Sequence, residues 1–104
     1  MNEFERLTDE IRKFAQERDW EQFHTSKNLA MAVAGEVGEL IAEFQWLSSD
    51  QSERASLSPT RLKSIALEIA DVQIYLLRLA DVLSISIPDF VREKLAINES
   101  RFPT

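Results

Sequence analysis

The sequence predicts an all-α fold, a four-helix bundle-type protomer, and three observations carry that prediction. Apolar residues recur at intervals of three and four through four stretches, the period of an amphipathic helix. No stretch alternates apolar and polar residues as an exposed strand does. Only two glycines and three prolines occur among the 104 residues, so few points interrupt a helix. The predicted helices cover about 3–17, 26–47, 59–84 and 88–99 within one domain, 1–104.

The first helix, from Asn2 or Glu3 to about Glu17, carries Phe4, Leu7, Ile11, Phe14 and Ala15 at helical spacing. Residues 18–25 break the pattern and read as a connecting loop or short turn. Ser26 is expected to cap the second helix, whose apolar stripe is Leu29, Val33, Val37, Leu40, Phe44 and Leu47. Ser48 to Ser58 is polar, with Ser-Ser-Asp and Ser-Pro signals, and reads as a loop. Ser58-Pro59 suits the cap and first position of the third helix, striped by Ile65, Ile69, Val72, Leu76, Leu79 and Leu83. Ile87-Pro88-Asp89 opens the fourth helix, and Arg101 to Thr104 is the tail.

Leu67, Ile74 and Leu77 lie away from the third helix's main stripe, so that helix is apolar nearly all round. Such helices are buried. A chain this short can hardly bury both faces, so a homo-oligomer is expected, a dimer or a tetramer built from dimers, with faces completed across the interface.

Composition narrows the function. Apolar residues make up 44% and charged residues 29%, which excludes wholesale disorder. A net charge of −6 without a basic stripe argues against nucleic acid or an anionic membrane as partner. The absence of cysteine excludes disulfides, thiolate catalysis and cysteine metal sites, and one histidine excludes a two-histidine ligand set. No Glu-x-x-His pair supports a di-iron bundle. The N-terminus lacks an apolar signal run and no apolar stretch nears the roughly 18 residues that span a bilayer, so a cytoplasmic location is expected.

Two acidic motifs stand out: Glu36-Val-Gly-Glu39 and Glu68-Ile-Ala-Asp71. Carboxylates three residues apart sit about 60° apart on a helix, and they repel unless a cation is shared. Both pairs, with Glu43 beside the first, border the apolar stripe of their helices. Four converging carboxylates suit Mg²⁺ or Mn²⁺, which prefer hard oxygen ligands. Buried Lys or Arg partners would also compensate them, and Lys63 and Arg78 are the candidates on the third helix. Gly35 and Gly38 flank Glu36 within a helix, each costing about 1 kcal/mol against alanine; either a neighbouring helix or a ligand approaches closely there.

The ordered set of motifs resembles the all-α nucleoside triphosphate pyrophosphohydrolases of the MazG type, and within them the dCTP pyrophosphatase subgroup. The resemblance rests on Arg18-Asp-Trp-Glu-Gln-Phe-His24, Asn28, Gly35-Glu-Val-Gly-Glu-Leu40, Phe44-Gln-Trp46, Glu68-x-x-Asp71-Val-x-Ile-Tyr75 and Lys94-x-x-x-Asn98-x-x-Arg101-Phe-Pro103. It implies Mg²⁺-dependent hydrolysis of a nucleoside triphosphate to monophosphate and pyrophosphate, to clear or control nucleotide pools. Glu36, Glu39, Glu68 and Asp71 would bind the metal, with Glu39 orienting the attacking water. Lys94, Asn98 and Arg101, one helical face if the fourth helix continues, would grip phosphate oxygens together with Lys27 and Asn28. Trp20, Trp46 and Tyr75 are the base-pocket candidates, although Trp20 also reads as a loop anchor and His24 as a packed or capping residue. Ile11 stands where the subgroup pattern carries a histidine facing the base, which loosens the preference for cytosine. The rival reading is a non-catalytic helical module whose acidic faces bind a basic protein.

Overall fold

The computed structural model describes residues 1–104. The chain is all-α, with no strands: α1 (Glu3–Glu17), α2 (Ser26–Phe44), α3 (Pro59–Val82) and α4 (Ile87–Arg101), plus single 3-10 turns at Glu21–Phe23 and Arg54–Ser56. Local chemistry sets the starts. Asn2 Oδ1 accepts the Glu5 amide at 2.9 Å to cap α1. Ser58 Oγ accepts the Arg61 amide at 3.1 Å, ahead of Pro59 at the first position of α3. Ser86 Oγ accepts the Asp89 amide at 3.4 Å at the start of α4.

Two helices end in the same six-residue hydrogen-bonding pattern. After α1, the Trp20 amide reaches Ala15 O at 3.0 Å and the Asp19 amide reaches Gln16 O at 3.1 Å. After α3, Ile85 reaches Ala80 O at 2.8 Å and Ser84 reaches Asp81 O at 3.1 Å. This Schellman arrangement needs a left-handed residue, and Asp19 and Ser84 supply it, each at φ 55°. The termination at Ser84 is why α3 stops at Val82 and not at the expected 84.

Other boundaries also differ from expectation. A tight Leu47 N to Phe44 O bond of 2.9 Å closes α2 at Phe44, three residues early, and leaves Trp46 in a turn. Ser26 is the first residue of α2 rather than its cap. At the other end of the chain, α4 continues to Arg101, closed by Phe102 N to Asn98 O at 2.8 Å.

The chain forms two compact units, and α3 passes from one to the other at Leu76–Leu77. The central unit, Lys27–Leu76, holds α2 and most of α3. Arg61 donates to Glu43 O at 2.8 Å and Ser64 donates to Glu43 Oε2 at 2.6 Å, tying the end of α2 to the start of α3. The 48–58 loop is braced from within, by Gln51 Oε1 on the Ser48 amide at 2.9 Å and Ser52 Oγ on Ser49 O at 2.7 Å. The terminal unit, Met1–Ser26 with Leu77–Thr104, buries Ala15, Leu77 and, unusually, Arg78.

Apolar exposure is extensive. Only Ala15, Leu29, Ile65 and Leu77 are buried apolar residues, against 21 exposed large ones. The third helix is not buried all round within the chain: Leu67, Ile69 and Ile74 are exposed, and of the off-stripe trio only Leu77 is covered. No helix is long and apolar enough to cross a membrane.

Candidate metal centre

Glu36 and Glu39 lie one turn apart on α2, and Glu68 and Asp71 one turn apart on α3, all within the central unit. One carboxylate oxygen from each comes within 4.8 Å of all the others. The Oε2 atoms of Glu36 and Glu68 are buried and have no hydrogen-bond partner. None of the four joins an ion pair. A buried carboxylate oxygen without a donor is costly, and four like charges at this separation compound the cost.

The proton equilibria express that strain. The Glu36 carboxyl is pushed above its ordinary range, first by burial and then by Glu39 and Asp71. Glu68 is raised for the same leading reason, with Glu39 and Asp71 again the main neighbours. A proton is one means of relief; a cation is another. The residues fit a hard divalent cation: oxygen donors only, from four side chains, two of which carry a buried oxygen without a hydrogen-bond partner.

Neither basic residue expected on α3 neutralises the cluster. Arg78 pairs instead with Asp81 at 2.9 Å and donates from Nε to His24 Nδ1 at 3.0 Å, in the terminal unit. Lys63 is exposed. Glu43, which the helical spacing placed with the acidic patch, is engaged by Arg61 and Ser64 and is not a member of the cluster. Gly35 and Gly38 are not crowded by a neighbouring helix, since nothing lies within 4 Å of the position a Cβ would take.

The remaining candidates divide between the units. Lys27, Asn28, Trp46 and Tyr75 belong to the central unit; Trp20, Lys94, Asn98 and Arg101 belong to the terminal unit. Lys27 and Asn28 occupy the first turn of α2, which carries no acidic residue to oppose an anion at its amides. Trp46 is 87% exposed, and Tyr75, one turn beyond Asp71, is half-buried. Lys94, Asn98 and Arg101 all fall within α4, so their shared helical face is real. Trp20 is anchored edge-on against Phe14 at 5.6 Å and His24 at 6.3 Å, yet keeps 41% of its surface. Sequence reasoning missed the Arg12–Asp81–Arg78–His24 chain, whose only local signal is the i, i+3 spacing of Arg78 and Asp81.

An all-α chain with two ExxE-type pairs meeting at one point defines a class of helical proteins built around a shared acidic cluster. The model of the MazG-like family matches residues 32–104. The chain is 43% identical over 91 residues to dCTP pyrophosphatase 1 of Homo sapiens, and 42% and 41% identical to those of Mus musculus and Bos taurus. Each match takes in 88% of this chain and 54% of the relative, so the chain spans about half the length of these curated relatives. The crystal structure of a pyrophosphatase from Archaeoglobus fulgidus DSM 4304 superposes with a TM-score of 0.90 at 40% identity, covering 100% of this chain and 95% of that one. This chain belongs to the MazG-like family.

Proposed function

We propose that the protein is a Mg²⁺-dependent nucleoside triphosphate pyrophosphohydrolase, acting on dCTP or modified cytosine deoxynucleotides and clearing or controlling nucleotide pools. The observation that carries this reading is the carboxylate cluster with its two buried, unpartnered oxygens. The names of the relatives, dCTP pyrophosphatase 1 and pyrophosphatase, support the reaction and the cytosine preference.

A bound Mg²⁺, or Mn²⁺ in its place, would screen the carboxylates from the triphosphate and stabilise charge on the phosphate oxygens. Glu36, Glu68 and Asp71 are suited to hold it, since Glu36 and Glu68 each keep an oxygen away from water. Glu39 is the exposed member of the four. It is therefore the one to which a water has access, and it orients that water and takes its proton. The water oxygen bonds to the α phosphorus, the bond to the bridging oxygen breaks, and pyrophosphate leaves. Lys94 and Arg101, with Asn98, grip phosphate oxygens, and Lys27 and Asn28 add contacts at the start of α2. Trp20, Trp46 and Tyr75 stack on the base.

The exposed apolar residues of α3 and α4, among them Leu67, Ile69, Phe90 and Leu95, support assembly of the single-domain protomer into a homo-oligomer. The rival reading as a docking module for a basic protein is weakened by the same cluster, because its buried oxygens turn away from any macromolecular surface. The test is incubation with a panel of dNTPs, modified cytosines included, with and without Mg²⁺, measuring monophosphate and pyrophosphate. Turnover that needs the metal is expected; no turnover of any nucleotide would refute the enzyme.

A further inference from the structure

The terminal unit contains a chain of polar contacts that the proposed reaction does not use. Asp9 and Asp81 both engage Arg12, at 3.0 Å and, bidentate, at 2.9 and 2.6 Å. Asp81 also accepts from Arg78 Nη1 at 2.9 Å. Arg78 is the sole buried charged residue, 5% exposed, and its orientation is set by Asp81. Its Nε is thereby aimed at His24 Nδ1, 3.0 Å away. A guanidinium cannot accept a hydrogen bond, so His24 must present a lone pair at Nδ1 and is neutral, with its proton on Nε2.

His24 in turn fixes a turn. The Phe23 amide bonds to Trp20 O at 2.9 Å and the His24 amide to Glu21 O at 3.1 Å, so Trp20 and His24 bracket one 3-10 turn. The Trp20 ring lies edge-on to both His24 and Phe14. Phe14 is itself covered by Arg18, whose guanidinium carbon sits 3.5 Å from the ring centroid. An exposed tryptophan on a loop would otherwise sample several rotamers; here its approach is set from a buried arginine outward.

We propose that Arg78 and His24 are positioning residues that hold Trp20 ready to receive a nucleobase, an inference that rests on the stacking role proposed above for Trp20. The hold is pH-sensitive. Burial and the facing Arg78 cation lower the affinity of His24 for a proton, with Glu21 in the same turn opposing them. Proton uptake at Nδ1 removes the acceptor and sets two cations against each other, with Asp81 already saturated by Arg12 and Arg78. The turn and its tryptophan are then released.

The experiment reads Trp20 directly. In a Trp46→Phe background Trp20 is the only tryptophan, and its emission and acrylamide quenching are followed from pH 8 to 4.5. A step with its midpoint below 6.5, the ordinary histidine value, is expected. It disappears in His24→Gln, and in Arg78→Met quenching is high throughout. A flat profile in the parent, or a step that survives His24→Gln, overturns the proposal; His24→Gln serves even if Arg78→Met fails to fold. In parallel, KM for dCTP with Mg²⁺ is compared at pH 8 in the otherwise native protein. His24→Gln is expected to raise KM about fivefold, the low end of what losing one base–aromatic stack costs, with a smaller change in kcat. The expected emission step with an unmoved KM upholds the positioning and overturns the stacking role of Trp20. Loss of all turnover in the native protein overturns the enzymatic reading, while the emission profile still decides the positioning.

Discussion

Replacing Asp81 with asparagine removes the one negative charge that Arg12 and Arg78 share, and the structure sizes the consequence. The Arg12 side chain is 40% exposed and keeps Asp9 at 3.0 Å, so that arm is screened and worth less than about 1 kcal/mol. The Arg78 side chain is 6% exposed and has no second carboxylate. A buried guanidinium stripped of its counter-charge costs about 3 kcal/mol. Asp81→Asn is therefore expected to lose roughly 3–4 kcal/mol in urea denaturation followed by circular dichroism, or about 12 °C or more in Tm. Protein concentration is held fixed, because an assembling chain gains stability with concentration. Arg12, first through its hydrogen bonds and then with Arg78 through charge, holds the Asp81 carboxyl below its ordinary range. Its contribution is thus full above about pH 3.9, the unfolded value, and is lost as pH falls through the lower folded value. The wild-type and variant curves should converge in acid. Removing both partners in Asp81→Asn/Arg78→Met should recover much of the loss, since no lone charge stays buried. A single-variant loss under about 1 kcal/mol would mean that the network is ornamental.

Four further outcomes follow from the same reasoning. Glu68→Gln takes one charge from the cluster, so its metal-free Tm should rise, whereas the stabilisation that Mg²⁺ gives the wild type, about 2.7 kcal/mol at a hundred times Kd, should largely vanish along with turnover; an unchanged metal response removes Glu68 from the site. In the metal-free wild type the raised Glu36 and Glu68 carboxyls work oppositely to Asp81: their contribution is present below the unfolded value near pH 4.3 and lost as pH rises through the folded values, which a pH series of the Glu36→Gln/Glu68→Gln pair against wild type would expose. Gly38→Ala should stabilise the chain by about 0.5–1 kcal/mol in thermal melts, because open space awaits the methyl group, and Ser84→Gly should add up to about 1 kcal/mol by relieving its left-handed backbone; a fall in Tm in either case refutes the local geometry.

Much of this protein was legible from residue spacing, and the exceptions have physical causes. Phe4, Leu7, Ile11 and Phe14 located α1, and the Ser58-Pro59 pair located the start of α3, because both signals are local. The carboxylate cluster was readable because two i, i+3 pairs each define one helical face, so only the meeting of two helices had to be inferred. The ends of α2 and α3 were not readable: a 3-10 closure at Phe44 and a serine adopting a glycine conformation at Ser84 leave no mark in composition. Arg78, one of two candidate partners for the clustered carboxylates, is engaged by Asp81 three residues on and by His24, 54 residues away in sequence, a contact that helical spacing does not reveal. Gly35 and Gly38 signalled a tolerance for close approach, but no atom of this chain makes that approach.

The four clustered carboxylates all fall between Glu36 and Asp71, inside one compact unit made of a contiguous stretch of chain. The residues proposed to read the base from the first turn, and those of α4 proposed to grip phosphate, lie outside that stretch. Lys27, Asn28, Trp46 and Tyr75, by contrast, lie in the same unit as the cluster. Under the proposed roles, a substitution in Met1–Ser26 or in α4 changes only contacts to the nucleotide, whereas one in Lys27–Leu76 can reach the acidic cluster and the base contacts together.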